Sequence, residues 1–174
     1  MVREDPKAMD IYLIRHAVAF ERDPVRWPED SERPLMPKGI KRWHEGARRL
    51  GKAMKAPDKV LSSPFVRAWD TATILADEAG WPAPERCDAL AAASYEGVIA
   101  ALTANAEAGR IALVGHEPYL HELTSYLLTG DPAKMELAFK KGGVALVSFA
   151  EKLAAGAGVL RWLMTARALR ELAA

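Results

Sequence analysis

Cysteine is nearly missing from this 174-residue chain. Its single representative, Cys87, rules out an intrachain disulfide and any metal site built from several cysteines. A lone Cys points to a reducing compartment, and Cys87 itself reads as a small, partly buried filler. Long apolar runs are missing as well: none approaches the roughly 18 residues that a transmembrane helix needs. The opening MVREDPKAMD places charges where a secretory leader needs apolar residues. The expectation is a cytoplasmic protein with no membrane association, whose residues 1–8 form a flexible tail. An excess of either charge sign is absent too. Lys and Arg number 24 against 23 Asp and Glu, a formal +1, which argues against a dedicated nucleic-acid binder. With no internal repeat and no low-complexity block, residues 1–174 read as one domain.

What is present is an alternation of strand and helix. The apolar run Ile11-Tyr12-Leu13-Ile14 predicts a strand over about 10–15, buried on both faces. After the Pro- and charge-rich segment 21–37, apolar residues at helical spacing predict a helix over 38–54. Lys59-Val60-Leu61 reads as a second strand. Ser63-Pro64 then reads as the N-cap and first position of a helix running to Ala79, stopped by Gly80. The Ala-rich 89–106 stretch reads as one helix, and Arg110–Val114 as a buried strand. Pro118 opens a helix to Leu128, and Val144–Phe149 pairs with Val159–Met164 before a short C-terminal helix. This order predicts an α/β fold, a three-layer α/β/α sandwich around a mostly parallel central sheet.

In such sheets ligands sit beyond the carboxyl ends of the strands. Arg15-His16 and Gly115-His116 each come directly after a predicted strand, and Arg67 lies in the first turns of a helix that succeeds another. Arg67 alone is ambiguous: it either reaches solvent or joins the helix N-terminus in holding an anion. Taken together, Arg15, His16, Arg67 and His116 fall at one sheet edge. Two guanidiniums suit a phosphoryl group, and a neutral imidazole supplies a nucleophile, so the set points to phosphoryl transfer.

LIRHA, SSPFVRAWDTA and ALVGHEP, in that order and spacing, resemble the signature of the histidine phosphatase superfamily, also called phosphoglycerate mutase-like. RHA, RPLMPKGIKR and the tail VLRWLMTARAL resemble its SixA-type phosphohistidine phosphatases. The resemblance spans about residues 10–170 and implies a phosphoglycerate mutase-like fold. It further implies His16 as a nucleophile that becomes a transient phosphohistidine. Arg15, Arg67 and His116 would hold the phosphoryl oxygens, and no metal or cofactor would be needed. Gly115 would provide a sharp turn that aims His116 at the pocket. The implied partner is a phosphorylated protein, such as a histidine phosphotransfer domain, or a small phosphate ester.

One part of the family pattern is missing. The acid that protonates a departing alcohol is expected near DALAAASYEG, where Ala stands instead; Glu96 and Glu117 are the carboxylates at hand, each equally readable as a surface group. Imidazole leaves more readily than an alkoxide, so the gap favours phosphohistidine over a phosphate ester. The 20–37 segment is expected to fold partly over the site. Its neighbourhood charges Arg22, Arg33 and Lys38 are read as solvated. His116 and His121 are five apart across Pro118, which excludes the helical zinc pair of a metalloprotease. His44 reads as exposed, and the five Trp as core or groove lining.

Overall fold

The computed structural model describes residues 8–151 and 153–172. The expected tail, residues 1–8, lies outside them except for Ala8. β1 (Met9–Arg15) shows why four consecutive apolar residues form a strand here. Ile11 and Leu13 face one core with Ile111, Leu113, Leu120 and Leu123, while Tyr12 and Ile14 face a second with Trp43, Leu50, Ala72 and Leu75. A strand covered on both faces has no position left for a polar residue, and each such side chain contributes on the order of 1.5–3 kcal/mol.

The sheet orders its strands β3-β2-β4-β1-β5-β6, where β2 is Lys59–Ser62, β3 Pro84–Arg86, β4 Arg110–Gly115, β5 Val144–Phe149 and β6 Val159–Met164. β3, β2, β4 and β1 are mutually parallel; β5 pairs antiparallel with β1 on one side and with β6 on the other. Helices α1 (Pro37–Ala53), α2 (Val66–Ala79) and α6 (Ala166–Arg170) contribute to the Trp43 core. Helices α3 (Asp88–Ala91), α4 (Tyr95–Ala104) and α5 (Tyr119–Thr129) contribute to the opposite one. The three-layer expectation holds. Among the described residues no helix is long and apolar enough to cross a membrane.

Four local expectations need correction. The 89–106 helix is two helices, because Ser94 caps a fresh start: its Oγ accepts the Gly97 N–H at 3.0 Å, after Ala93 has turned to φ 53. α2 begins at Val66, not at Pro64, because Phe65 is still extended, at φ -63 and ψ 133, and takes the N-cap position. β3 is an additional strand, three residues long with Pro84 on a sheet edge, where proline is tolerated. His44 is half-buried and bonded through Nδ1 to Glu78 Oε1 at 2.8 Å.

The register sets up the site. Arg15 pairs with Gly115, and Ser62 with Val114, so three neighbouring parallel strands end level. The ladder continues one step further, with His16 N–H donating to Gly115 O and Ser63 N–H to Val114 O. His16, Ser63 and His116 therefore leave the sheet at one edge. The segment 20–37 folds back beside them: an Ala19–Leu35 bridge closes its base, and a 3-10 turn, Asp30–Glu32, packs on α2.

Candidate active site

His16 is 5% exposed. Its Nδ1 lies 2.7 Å from the Ala17 carbonyl oxygen, which can only accept, so Nδ1 carries the proton and Nε2 the lone pair. Burial, the Arg67 and Arg15 guanidiniums and Arg33 drive its pKa down to about 3 against the pull of the Ala17 bond. The ring is a neutral imidazole with a fixed tautomer, the state a nitrogen nucleophile needs.

The His116 ring lies 5.3 Å from the His16 ring, centroid to centroid, at 52°. Burial, Arg67 and His16 lower its pKa to about 3 as well. Its Nε2 is 2.8 Å from Ser63 Oγ, which also accepts the Phe65 N–H at 3.3 Å. If the Ser63 hydroxyl donates to Nε2, the His116 proton sits on Nδ1, a buried atom with no partner among the described residues. That tautomer makes Nδ1 a donor ready for an oxyanion. Gly115, expected to turn the chain, is instead an ordinary strand residue. It has no positive φ, and an added Cβ would meet Leu120 and Leu90 at 3.7 Å, so the extension of β4 alone delivers His116.

Arg67 is 5% exposed, which settles its ambiguity against solvent. Asp30 grips it twice, with NH1 donating to the Asp30 carbonyl at 2.7 Å and NH2 paired to Oδ2 at 3.0 Å. Its guanidinium carbon stands 5.1 Å from the Phe65 ring centre, and that ring lies 5.0 Å from His116. Arg15 donates through NH1 to the Phe139 carbonyl at 2.7 Å. Burial lowers the pKa of both arginines, yet neither loses its charge. Arg15 Nε and Arg67 Nε are, like His116 Nδ1, buried without a partner among the described residues. Unpaired buried donors cost about 1–3 kcal/mol each, a cost that a bound oxyanion would offset. All four predicted site residues thus converge.

Three residues escape a reading of the sequence alone. Asp30 holds Arg67 and also takes Arg33 at 2.8 Å. Arg33 is therefore not solvated: its side chain is 14% exposed, and it donates to Phe20 O. Arg22 and Lys38 are exposed, as expected. Ser63 reads as a helix cap but serves His116. Thr71, wholly buried, donates to Arg67 O at 2.7 Å and accepts the Ala17 N–H at 3.0 Å. One hydroxyl thereby ties the nucleophile's loop to Arg67's helix. The i, i+4 spacing of Arg67 and Thr71 and the Asp30-x-x-Arg33 spacing are the available signals.

Glu96 lies exposed on α4. Glu117 is half-buried beside Arg15; burial raises its pKa, opposed by the 2.7 Å bond from His121 Nδ1 to Oε2, and Oε1 is buried without a partner. Among the described residues no group of three or more His, Cys, Asp or Glu is placed to hold a metal.

Residues 11–95 match the family model of the histidine phosphatase superfamily, branch 1. An uncharacterized protein of Picosynechococcus sp. strain PCC 7002 is 34% identical over 139 residues, 78% of this chain and 82% of its own. The structure of the protein histidine phosphatase SixA complexed with tungstate superposes with a TM-score of 0.77 at 26% identity, over 92% of this chain and 99% of that one. A phosphoglycerate mutase from Bacillus anthracis str. Sterne shares the fold, with a TM-score of 0.67 at 13% identity over 95% and 96% of the two chains. The chain belongs to the histidine phosphatase superfamily, and its structure is of the SixA type.

Proposed function

We propose that this chain is a phosphatase whose His16 removes the phosphoryl group from phosphohistidine on a protein. The observation that carries the reading is the state of His16: buried, neutral, and locked by Ala17 O into the tautomer that leaves Nε2 free. Nε2 attacks phosphorus, forming the new P–N bond as the bond to the substrate nitrogen breaks. Arg15, Arg67 and the Nδ1 donor of His116 hold the phosphoryl oxygens as charge spreads over them. Phospho-His16 keeps its proton on Nδ1, donated in a hydrogen bond to Ala17 O, so the ring is an imidazolium and a good leaving group. Water then attacks phosphorus, phosphate departs, and the proton released from water is lost to solvent.

The leaving side explains the choice of substrate. A substrate imidazole protonated at its second nitrogen departs neutral, without help from an enzyme acid. That suits a site in which Glu96 is exposed on α4 and Glu117 is bound to His121. Tungstate, held by the SixA relative, is an oxyanion shaped like phosphate, which agrees with this use of the pocket. Hydrolysis of a small phosphate ester is the second reading. It is favoured by Glu117, whose burial and raised pKa are those of a carboxyl able to donate a proton.

The test is phosphate release from a histidine-phosphorylated phosphotransfer domain, with p-nitrophenyl phosphate in parallel and His16→Ala as control. His16-dependent release from the protein with weak ester turnover is expected. The reverse preference would transfer the assignment to a small-molecule phosphatase.

A further inference from the structure

The solvent face of α1 carries a charge pattern that the catalytic site does not explain. Lys41, His44, Glu45, Arg48, Arg49 and Lys52 fall at i, i+3, i+4, i+7, i+8 and i+11, one face of a helix, and line an open groove of about 670 Å³. Like charges at this spacing repel each other and weaken the helix that holds them. Relief is partial. Glu78 takes His44 and Arg48, the Leu172 carbonyl takes Arg49, and Glu45 itself leans to Arg170 at 4.0 Å. Lys41 and Lys52, both exposed, have no ion-pair partner among the described residues.

The asymmetry extends to the whole molecule. α1 holds six Lys and Arg against one Glu, while the chain as a whole is only +1, so the rest of the protein is net negative. A polynucleotide, negative along its entire length, would be attracted to the strip and repelled beyond it. The strip carries no Phe, Tyr or Trp to stack on a base and nothing apolar to enter lipid. α1's one aromatic, Trp43, is 2% exposed and bonded to Thr71 O. A folded protein with a local acidic face fits better.

Position connects the strip to the chemistry. α1 starts against Val18, two residues past His16; a Cβ on Gly39 would run into the Val18 carbonyl. From that edge the helix extends for roughly 25 Å, about the width of a small domain. A protein presenting its phosphoryl group to His16 can lie along it.

We propose that the basic face of α1 is the docking surface for an acidic face of the phosphoprotein substrate. This inference rests on the phosphohistidine-protein reading above. Opposite charges at such a distance act chiefly on the rate of encounter, so the effect belongs in kcat/KM and in its salt dependence.

The experiment compares wild type with the Lys41→Glu/Lys52→Glu variant, which leaves the Arg48–Glu78 pair intact, and with Lys41→Arg/Lys52→Arg. The substrates are a histidine-phosphorylated phosphotransfer domain of net negative charge and free phosphohistidine. Charge reversal is expected to lower kcat/KM on the protein roughly tenfold or more at low salt. The loss should shrink toward nothing near ~0.5 M salt, where screening is short-ranged. Free phosphohistidine should turn over unchanged, and the arginine variant should match wild type. An unchanged rate on the protein, or equal losses on both substrates, would overturn the docking surface and leave the proposed function standing. Wild type that cleaves free phosphohistidine but not the phosphoprotein would overturn both.

Discussion

Arg67 and Asp30 are joined twice, once through the Asp30 carbonyl at 2.7 Å and once through its carboxylate at 3.0 Å. The two residues come from segments 37 positions apart, and the contact fixes the loop over the site as much as it fixes the arginine. Asp30→Asn keeps the backbone bond and removes the charge. Arg67 then loses its orientation, and kcat/KM should fall on the order of 10- to 100-fold. The melting temperature should move little, because the Asp30 side chain is 31% exposed. Steady-state kinetics beside a thermal melt checks this. Unchanged kinetics would remove Asp30 from the positioning of Arg67.

His16 and His116 make stability depend on pH with a defined sign. Each has a folded pKa near 3, below the ordinary 6.5 of the unfolded chain. Between those values the unfolded chain binds more protons, so stability is complete above about pH 6.5 and falls as pH drops toward 3. The slope is up to about 1.4 kcal/mol per pH unit for each ring. Urea unfolding between pH 7 and 5 measures it, and His16→Asn should flatten the slope. Ring NMR resonances of either histidine titrating with a midpoint near 6.5 would contradict the assignment.

Thr71 acts through other residues. Thr71→Val keeps the shape and strands the Ala17 N–H, at about 1–3 kcal/mol of stability. If the hydroxyl only stabilises the fold, kcat below the melting range is unaffected. If it positions His16 against Arg67, kcat falls several-fold while KM holds, and Thr71→Ser restores it. Restoration by serine is the expected outcome.

Glu117 separates the two substrate readings. Glu117→Gln should leave phosphohistidine turnover within about twofold, since no enzyme proton is needed there. It should abolish whatever residual ester hydrolysis exists, if the carboxyl supplies that proton. A comparable loss on phosphohistidine would make Glu117 part of the main reaction.

Much of the fold and the site is legible in the sequence, and the misses share a physical cause. Ile11–Ile14 and Ile111–Val114 announce strands covered on both faces, and the residues just past the ends of such strands are confined to one edge. Local pattern thus sets Arg15, His16 and His116 just past strand ends, and the parallel pairing of β1 with β4 brings them together. Arg67 needs the fold, because only Asp30's return across the sheet edge decides whether it is buried. Ser63, Thr71 and Arg33 escape for the same reason: short polar side chains and loop arginines have good local roles, as caps or solvated charges, and long-range partners override them. The Ala-rich 89–106 stretch shows propensity losing to a single cap at Ser94.

The central claim is that His16 Nε2 accepts the phosphoryl group. Its most direct test is rapid quenching of the enzyme with a 32P-labelled histidine phosphotransfer domain into base, where phosphohistidine survives, and then peptide mapping. Label on the peptide holding His16, formed and lost at rates consistent with turnover and missing in His16→Ala, is the predicted result. Turnover with no label on His16, or label on His116 instead, would contradict it.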